Sequence, residues 1–192
     1  AARYHKNGAD GIYVFNWHAN RDSRRELLSQ IGTPDTLRHT DKIYAATHRF
    51  IVKEGEWRGA YRIDRTLGEV PIPLKRTLTS DGPTIELDLA DEITAEHPPQ
   101  IELRIRLDQW VKGDEVEVKW DKTILPEPTF DYCMIHDPHH ISDVSSAVWQ
   151  RYTLTPVQAA AGRHTVQIIL NRRHSQLACD LVLTDVEVMI NG

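Results

Sequence analysis

The segment HDPHH, residues 136–140, gathers His136, Asp137, His139 and His140 within five positions. Imidazole nitrogens and a carboxylate form the donor set of many transition-metal sites. Neighbouring histidines in a polar stretch usually face solvent, so the segment is read first as a surface loop and second as the rim of a ligand site. Aromatic faces are the other chemical resource. Trp57 lies in the charged turn KEGEWRG, and Trp110 precedes the turn at Lys112-Gly113; both are placed where a flat ring can stand free for a ligand to stack on. Trp120 continues the apolar row Val116 and Val118 and is assigned to a core, and Trp149, opening an alternating strand, is assigned there too. Asn16, Trp17 and His18 end the apolar run GIYVFNWH, offering one stacking face and two hydrogen-bonding groups.

No pair of carboxylates has the look of an acid/base centre. A catalytic site based on proton abstraction would need His, Tyr and Arg on one concave face, and Arg104, Arg106, Tyr152 and His164 are the residues to inspect for it. The charges at Glu86/Asp88, Arg104/Arg106 and Glu115/Glu117/Lys119 fall on polar strand faces, where cross-strand pairing accounts for them. Cys133 and Cys179 are read as two buried thiols, with a disulfide as the alternative that sequence leaves open. There is no CxxC and no Cys/His metal spacing. No cofactor is expected, and no acidic loop has the ordered ligand pattern of a calcium loop.

These residues need elements to hold them. Ala1 to Gly8 reads as a helix stopped by glycine, GIYVFNW as a strand covered on both faces, and the stretch from Asp22 or Ser23 to Gly32 as a helix with Leu27, Leu28 and Ile31 on one side. From about Thr47 the period becomes two. PTIELDLA, QIELRIRLD, DEVEVKWD, VWQRYTLTP, GRHTVQIILNRR and CDLVLTDVEVMIN alternate apolar and polar residues, the signature of half-buried antiparallel strands. Roughly eight strands are expected between residues 47 and 191. The expected fold is mainly β: an antiparallel β-sandwich, specifically a jelly roll, at 47–192, preceded by a β/α segment at 1–46. A chain of 192 residues can bury such a core. Its net charge of −5 and lack of a basic block give no reason to expect a nucleic-acid partner. No apolar run reaches the length of a membrane span, and no signal-peptide pattern is present.

GADGIYVFNWH followed by LLSQIGTPDTLRHTDKIY resembles the eighth strand and following helix of the catalytic (β/α)8, or TIM, barrel in a group of bacterial glycoside-hydrolase-like proteins. DEVEVKWDKTIL, WQRYTLTPVQAAAGRHTVQIIL and LTDVEVMI resemble strands of the β-sandwich attached after such barrels and of galactose-binding-like jelly rolls. Asp121-Lys122 stand where the turn in those sandwiches often has Asn-Gly. The resemblance implies a carbohydrate-associated, non-catalytic sandwich whose carboxylate-bearing barrel is supplied by the rest of the same polypeptide. It implies polysaccharide or oligosaccharide as the partner, an extracellular or periplasmic setting, and at most a structural calcium. Trp17, His18, Trp57, Trp110, His136, Asp137 and His139 are then the sugar-contact candidates. The alternatives are a carbohydrate-active centre on the sandwich itself, a glycosidase or polysaccharide lyase, and a protein-interaction surface.

Overall fold

A computed structural model describes residues 1–14, 22–38, 40–48, 68–75, 82–93, 99–133 and 147–191. Among these, three short helices precede ten strands: α1 (Ala2–Lys6), α2 (Asp22–Ile31), α3 (Pro34–Arg38), then β1 (Lys42–Ala45), β2 (Ile72–Leu74), β3 (Thr84–Leu89), β4 (Gln100–Asp108), β5 (Glu115–Trp120), β6 (Thr123–Ile124), β7 (Thr129–Cys133), β8 (Ala147–Thr153), β9 (Gly162–Arg172) and β10 (Leu181–Asn191). The fold is mainly β, with two antiparallel sheets arranged as a sandwich. The larger sheet runs β1-β10-β4-β8-β7, with β2 also paired to β10; the smaller runs β3-β9-β5-β6.

Strict alternation explains why both sheets have an apolar inner face. Ile101, Leu103, Ile105 and Leu107 of β4 are all at most 1% exposed, while Arg104 and Arg106 point outward. Ile85, Leu87 and Leu89 of β3 and Val166 and Ile168 of β9 meet them from the smaller sheet. In β10 an irregularity between Leu183 and Asp185 shifts the register, so Leu181 and Leu183 and then Val186, Val188 and Ile190 all face inward. Trp120 is 2% exposed and belongs to this core, its indole N–H donating to the Gln158 carbonyl at 2.8 Å. Trp149 does not. Val148, Gln150, Tyr152 and Leu154 take the inward positions of the β8 segment, so period two turns Trp149 outward, where the Arg104 guanidinium lies 4.7 Å from its ring centre.

The first segment forms the expected helices, and its one strand among the described residues is β1, not the GIYVFNW run. α1 ends at Asn7, and Gly8 follows with φ +91°. Residues 11–14 of GIYVFNWH lie in no strand and Tyr13 is 87% exposed, while residues 15–18 of the run lie outside the described residues. An apolar run becomes a parallel strand only where neighbours supply hydrogen-bond partners and cover both faces, and no described strand does so here. The apolar side of α2 stays shallow, with Leu27 46% exposed. His5 joins α1 to α2, its Nδ1 3.1 Å from the Ala9 carbonyl and its Nε2 3.0 Å from the Ile31 carbonyl. Lys42–Ala45, on the early side of the expected boundary at residue 46, add to the larger sheet as β1, antiparallel to β10.

Candidate ligand cleft

The place where the two sheets part is set by local chemistry on β5 and its hairpin. Asp121 and Lys122 close β5 onto β6 with φ of +47° and +71°, the two positive values of a type I′ turn. The Asp121 carboxylate secures the turn: Oδ1 accepts the Thr165 N–H at 2.8 Å, and Oδ2 lies 2.6 Å from His164 Nδ1. After β6, Leu125-Pro126-Glu127-Pro128 crosses to the larger sheet and feeds β7. Its first residue is tied by Leu125 N–H donating to the Val118 carbonyl at 2.9 Å. Since a strand residue turns its N–H and C=O to one side with period two, the Val116 backbone faces this same edge of β5. β6 reaches only Lys119 and Trp120.

The crossing leaves a cleft of about 380 Å³ between β5 and the β7-β8 edge. Its aromatic walls are Trp110, Phe130 and Tyr152, and Gln150 lies at its base. The Trp110 and Phe130 ring centres are 5.8 Å apart, and Tyr132, 64% exposed, continues the row 6.4 Å from Phe130. Tyr152 donates its hydroxyl proton to Gln150 Oε1 at 2.8 Å, and burial pushes its phenol pKa up, which keeps it a neutral donor. The rim carries Glu115, Glu117 and Glu127, with the buried Asp114 beneath it.

Trp110 is held by a clamped turn. The Val111 N–H donates to Asp114 Oδ2 at 3.0 Å, the Asp114 N–H donates back to the Val111 carbonyl at 3.1 Å, and Gly113 takes φ +105°. Asp114 in turn pairs with Arg173, both side chains being almost wholly buried, and accepts the His174 N–H at 2.7 Å. Arg173 also donates to the Gln109 carbonyl at 2.8 Å. One desolvated ion pair thus ties the β4-β5 turn to the segment between β9 and β10. Cys179 sits beside it as a free, exposed thiol, so the expected burial fails at that residue; the side chain of Cys133 lies outside the described residues.

Of the sugar-contact candidates, only Trp110 lies among the described residues; Trp17, His18, Trp57, His136, Asp137 and His139 lie outside them. Trp110 is a wall of the cleft but not a free platform, being 8% exposed, because the clamped turn folds its ring against Phe130. Arg104, Arg106, Tyr152 and His164 occupy three separate places. The arginines are on the outer face of the larger sheet, and Tyr152 is in the cleft. His164 is stacked on Trp120 at 4.8 Å, with Nδ1 against Asp121 and Nε2 2.7 Å from the Ala160 carbonyl. Both ring nitrogens face protein oxygens, so the imidazole is not offered to a substrate. Among the described residues no group of three or more His, Cys, Asp or Glu could hold a metal ion. Gln150 and Phe130 were not singled out from the sequence. The signal for Gln150 is a polar residue in the inward row Val148-Gln150-Tyr152-Leu154.

A second cleft, also about 380 Å³, is the seam between the helices and β1 and β3, lined by Tyr4, Leu27, Leu37, Lys42 and Tyr44 among others. Its principal cation is already satisfied, with Lys42 Nζ 2.9 Å from Asp91 and donating to the Leu37 carbonyl. No protein-family model matches the chain, and no curated protein is significantly similar to it.

Proposed function

We propose that the chain is a non-catalytic, carbohydrate-associated β-sandwich that binds a polysaccharide or oligosaccharide in the cleft walled by Trp110, Phe130 and Tyr152. The strand order β1-β10-β4-β8 against β3-β9-β5-β6 is read as a jelly roll, with residues 1–46 as the last β/α segment of a glycoside-hydrolase-like barrel. The observation that supports sugar binding is the pairing of aromatic walls with an acceptor rim. The C–H faces of a sugar ring pack on aromatic carbon while its hydroxyls donate to Gln and carboxylate oxygens. An extracellular or periplasmic setting goes with this reading.

The test is a calorimetric screen of the 192-residue chain against plant and algal oligosaccharides. Binding is expected for at least one glycan, and Phe130→Ala is expected to weaken it roughly 5- to 10-fold, the worth of one aromatic contact. Absence of binding, or binding indifferent to Phe130→Ala, removes the cleft as the site. The same module is also suited to holding a neighbouring barrel in place, a reading favoured by β1, which splices the chain leaving the helices into the larger sheet.

A further inference from the structure

We propose that the cleft selects glycans bearing a free primary amine over neutral and anionic ones, an inference that rests on the sugar-binding reading above. Among the described residues, the ionisable side chains on its lining are all carboxylates apart from the phenol of Tyr152, with no Lys, Arg or His among them. Three of the carboxylates have cations behind them. Asp114 is neutralised by buried Arg173, Glu115 lies 2.5 Å from Arg172, and Glu117 lies 3.3 Å from Lys119. Glu127 has no ion-pair partner among the described residues, so the cleft keeps one uncompensated negative charge. That charge is pre-positioned, because Pro126 and Pro128 restrict the backbone on both sides of Glu127.

A protonated amine on a sugar ring answers both features at once. It meets the Glu127 carboxylate as a charge-assisted donor and lies against the quadrupole of the aromatic walls. An acetylated amine keeps the ring and the hydroxyls but loses the charge. A uronate brings a second carboxylate to a rim with no free cation among its described residues to receive it, and like charges repel.

The experiment titrates the whole chain at about pH 6, where a primary amine is protonated, with three oligosaccharides of equal length. They are a glucosamine oligomer, its N-acetylated counterpart and a uronate oligomer. The glucosamine oligomer is expected to bind roughly 10-fold tighter than the acetylated one, and the uronate to bind most weakly. Glu127→Gln should abolish the preference, Glu26→Gln on α2 should leave it intact, and Phe130→Ala should weaken glucosamine and N-acetylglucosamine oligomers alike. Equal binding of the first two oligomers, tight uronate binding, or a preference that survives Glu127→Gln or vanishes with Glu26→Gln overturns the selectivity. If the acetylated oligomer still binds in a Phe130-dependent way, the sugar-binding reading outlives that failure. If no oligosaccharide binds, both fall together.

Discussion

Asp114 and Arg173 show how much one pair of side chains can organise when it is fully removed from water. The aspartate is 0% exposed and the arginine 3%, and the carboxylate also caps two backbone N–H groups, those of Val111 and His174. Asp114→Ala leaves a guanidinium buried without its counter-charge and two backbone donors without acceptors. The expected cost is about 3–5 kcal/mol, read as a lower urea midpoint at unchanged slope; a loss below about 1 kcal/mol would mean that water reaches Arg173. Glu187 makes the opposite case on the outer face of the larger sheet. Burial holds its carboxyl above the ordinary range, against the attraction of Arg104 at 3.4 Å, and the charge of Asp185 raises it further. The folded chain therefore binds that proton more tightly than the unfolded chain does. Its contribution to stability is complete below the ordinary carboxylate pKa and is lost as pH rises through the raised folded value. Glu187→Gln should remove this slope, so its stability relative to wild type should climb as pH rises above the ordinary carboxylate range. Parallel pH–stability curves for the two proteins would assign the slope to other groups.

At the scale of elements, the β5-β6 hairpin carries a correctable strain. Lys122 holds φ +71° with a Cβ that glycine would not have. Lys122→Gly should stabilise the fold by about 1 kcal/mol, offset in part by the greater freedom of glycine in the unfolded chain. A thermal melt unchanged or lower than wild type would show that the lysine stem contributes more than its backbone costs. Asp121 should not be exchanged in the same way, since its carboxylate holds Thr165 and His164. This turn was legible only through the resemblance to sandwich turns that have Asn-Gly where Asp121-Lys122 stand, whereas β3, β4, β5, β8, β9 and β10 were legible directly, because period-two alternation is a consequence of having one dry face. Trp149, read from the sequence as opening an alternating strand, is assigned there to the core, but the inward row is Val148, Gln150, Tyr152 and Leu154, which leaves Trp149 on the opposite face. The cleft was less legible. Trp110 could be named from its place before a turn, but its burial depends on Asp114 meeting Arg173, which lies 59 residues away in the chain. Phe130 reaches Trp110 only through the pairing of β7 with β8, a contact that no local pattern encodes.

At the scale of the whole molecule, the question is where the cooperative unit begins. The helices contribute little buried apolar surface: α1 has no buried residue, and α3 has only Leu37. β1 is different in kind. It pairs with β10 along four residues, Tyr44 donates its hydroxyl proton to Asp91 at 2.6 Å, and Lys42 lies 2.9 Å from the same carboxylate. Asp91 follows β3, which belongs to the other sheet, so β1 ties the two sheets together at their edge. Just past it, the buried Ala46 donates its N–H to the Val186 carbonyl at 2.8 Å. A chain beginning at Thr40 should therefore unfold cooperatively with a stability close to that of the whole. A chain beginning at Thr47 should lose on the order of 3–6 kcal/mol, the worth of two hydrogen bonds to a charged group, and would also uncover part of the β10 edge. Urea unfolding of the two fragments decides the matter. Equal stabilities would place β1 outside the cooperative unit, and a large loss in the Thr40 fragment would move the boundary back into the helices.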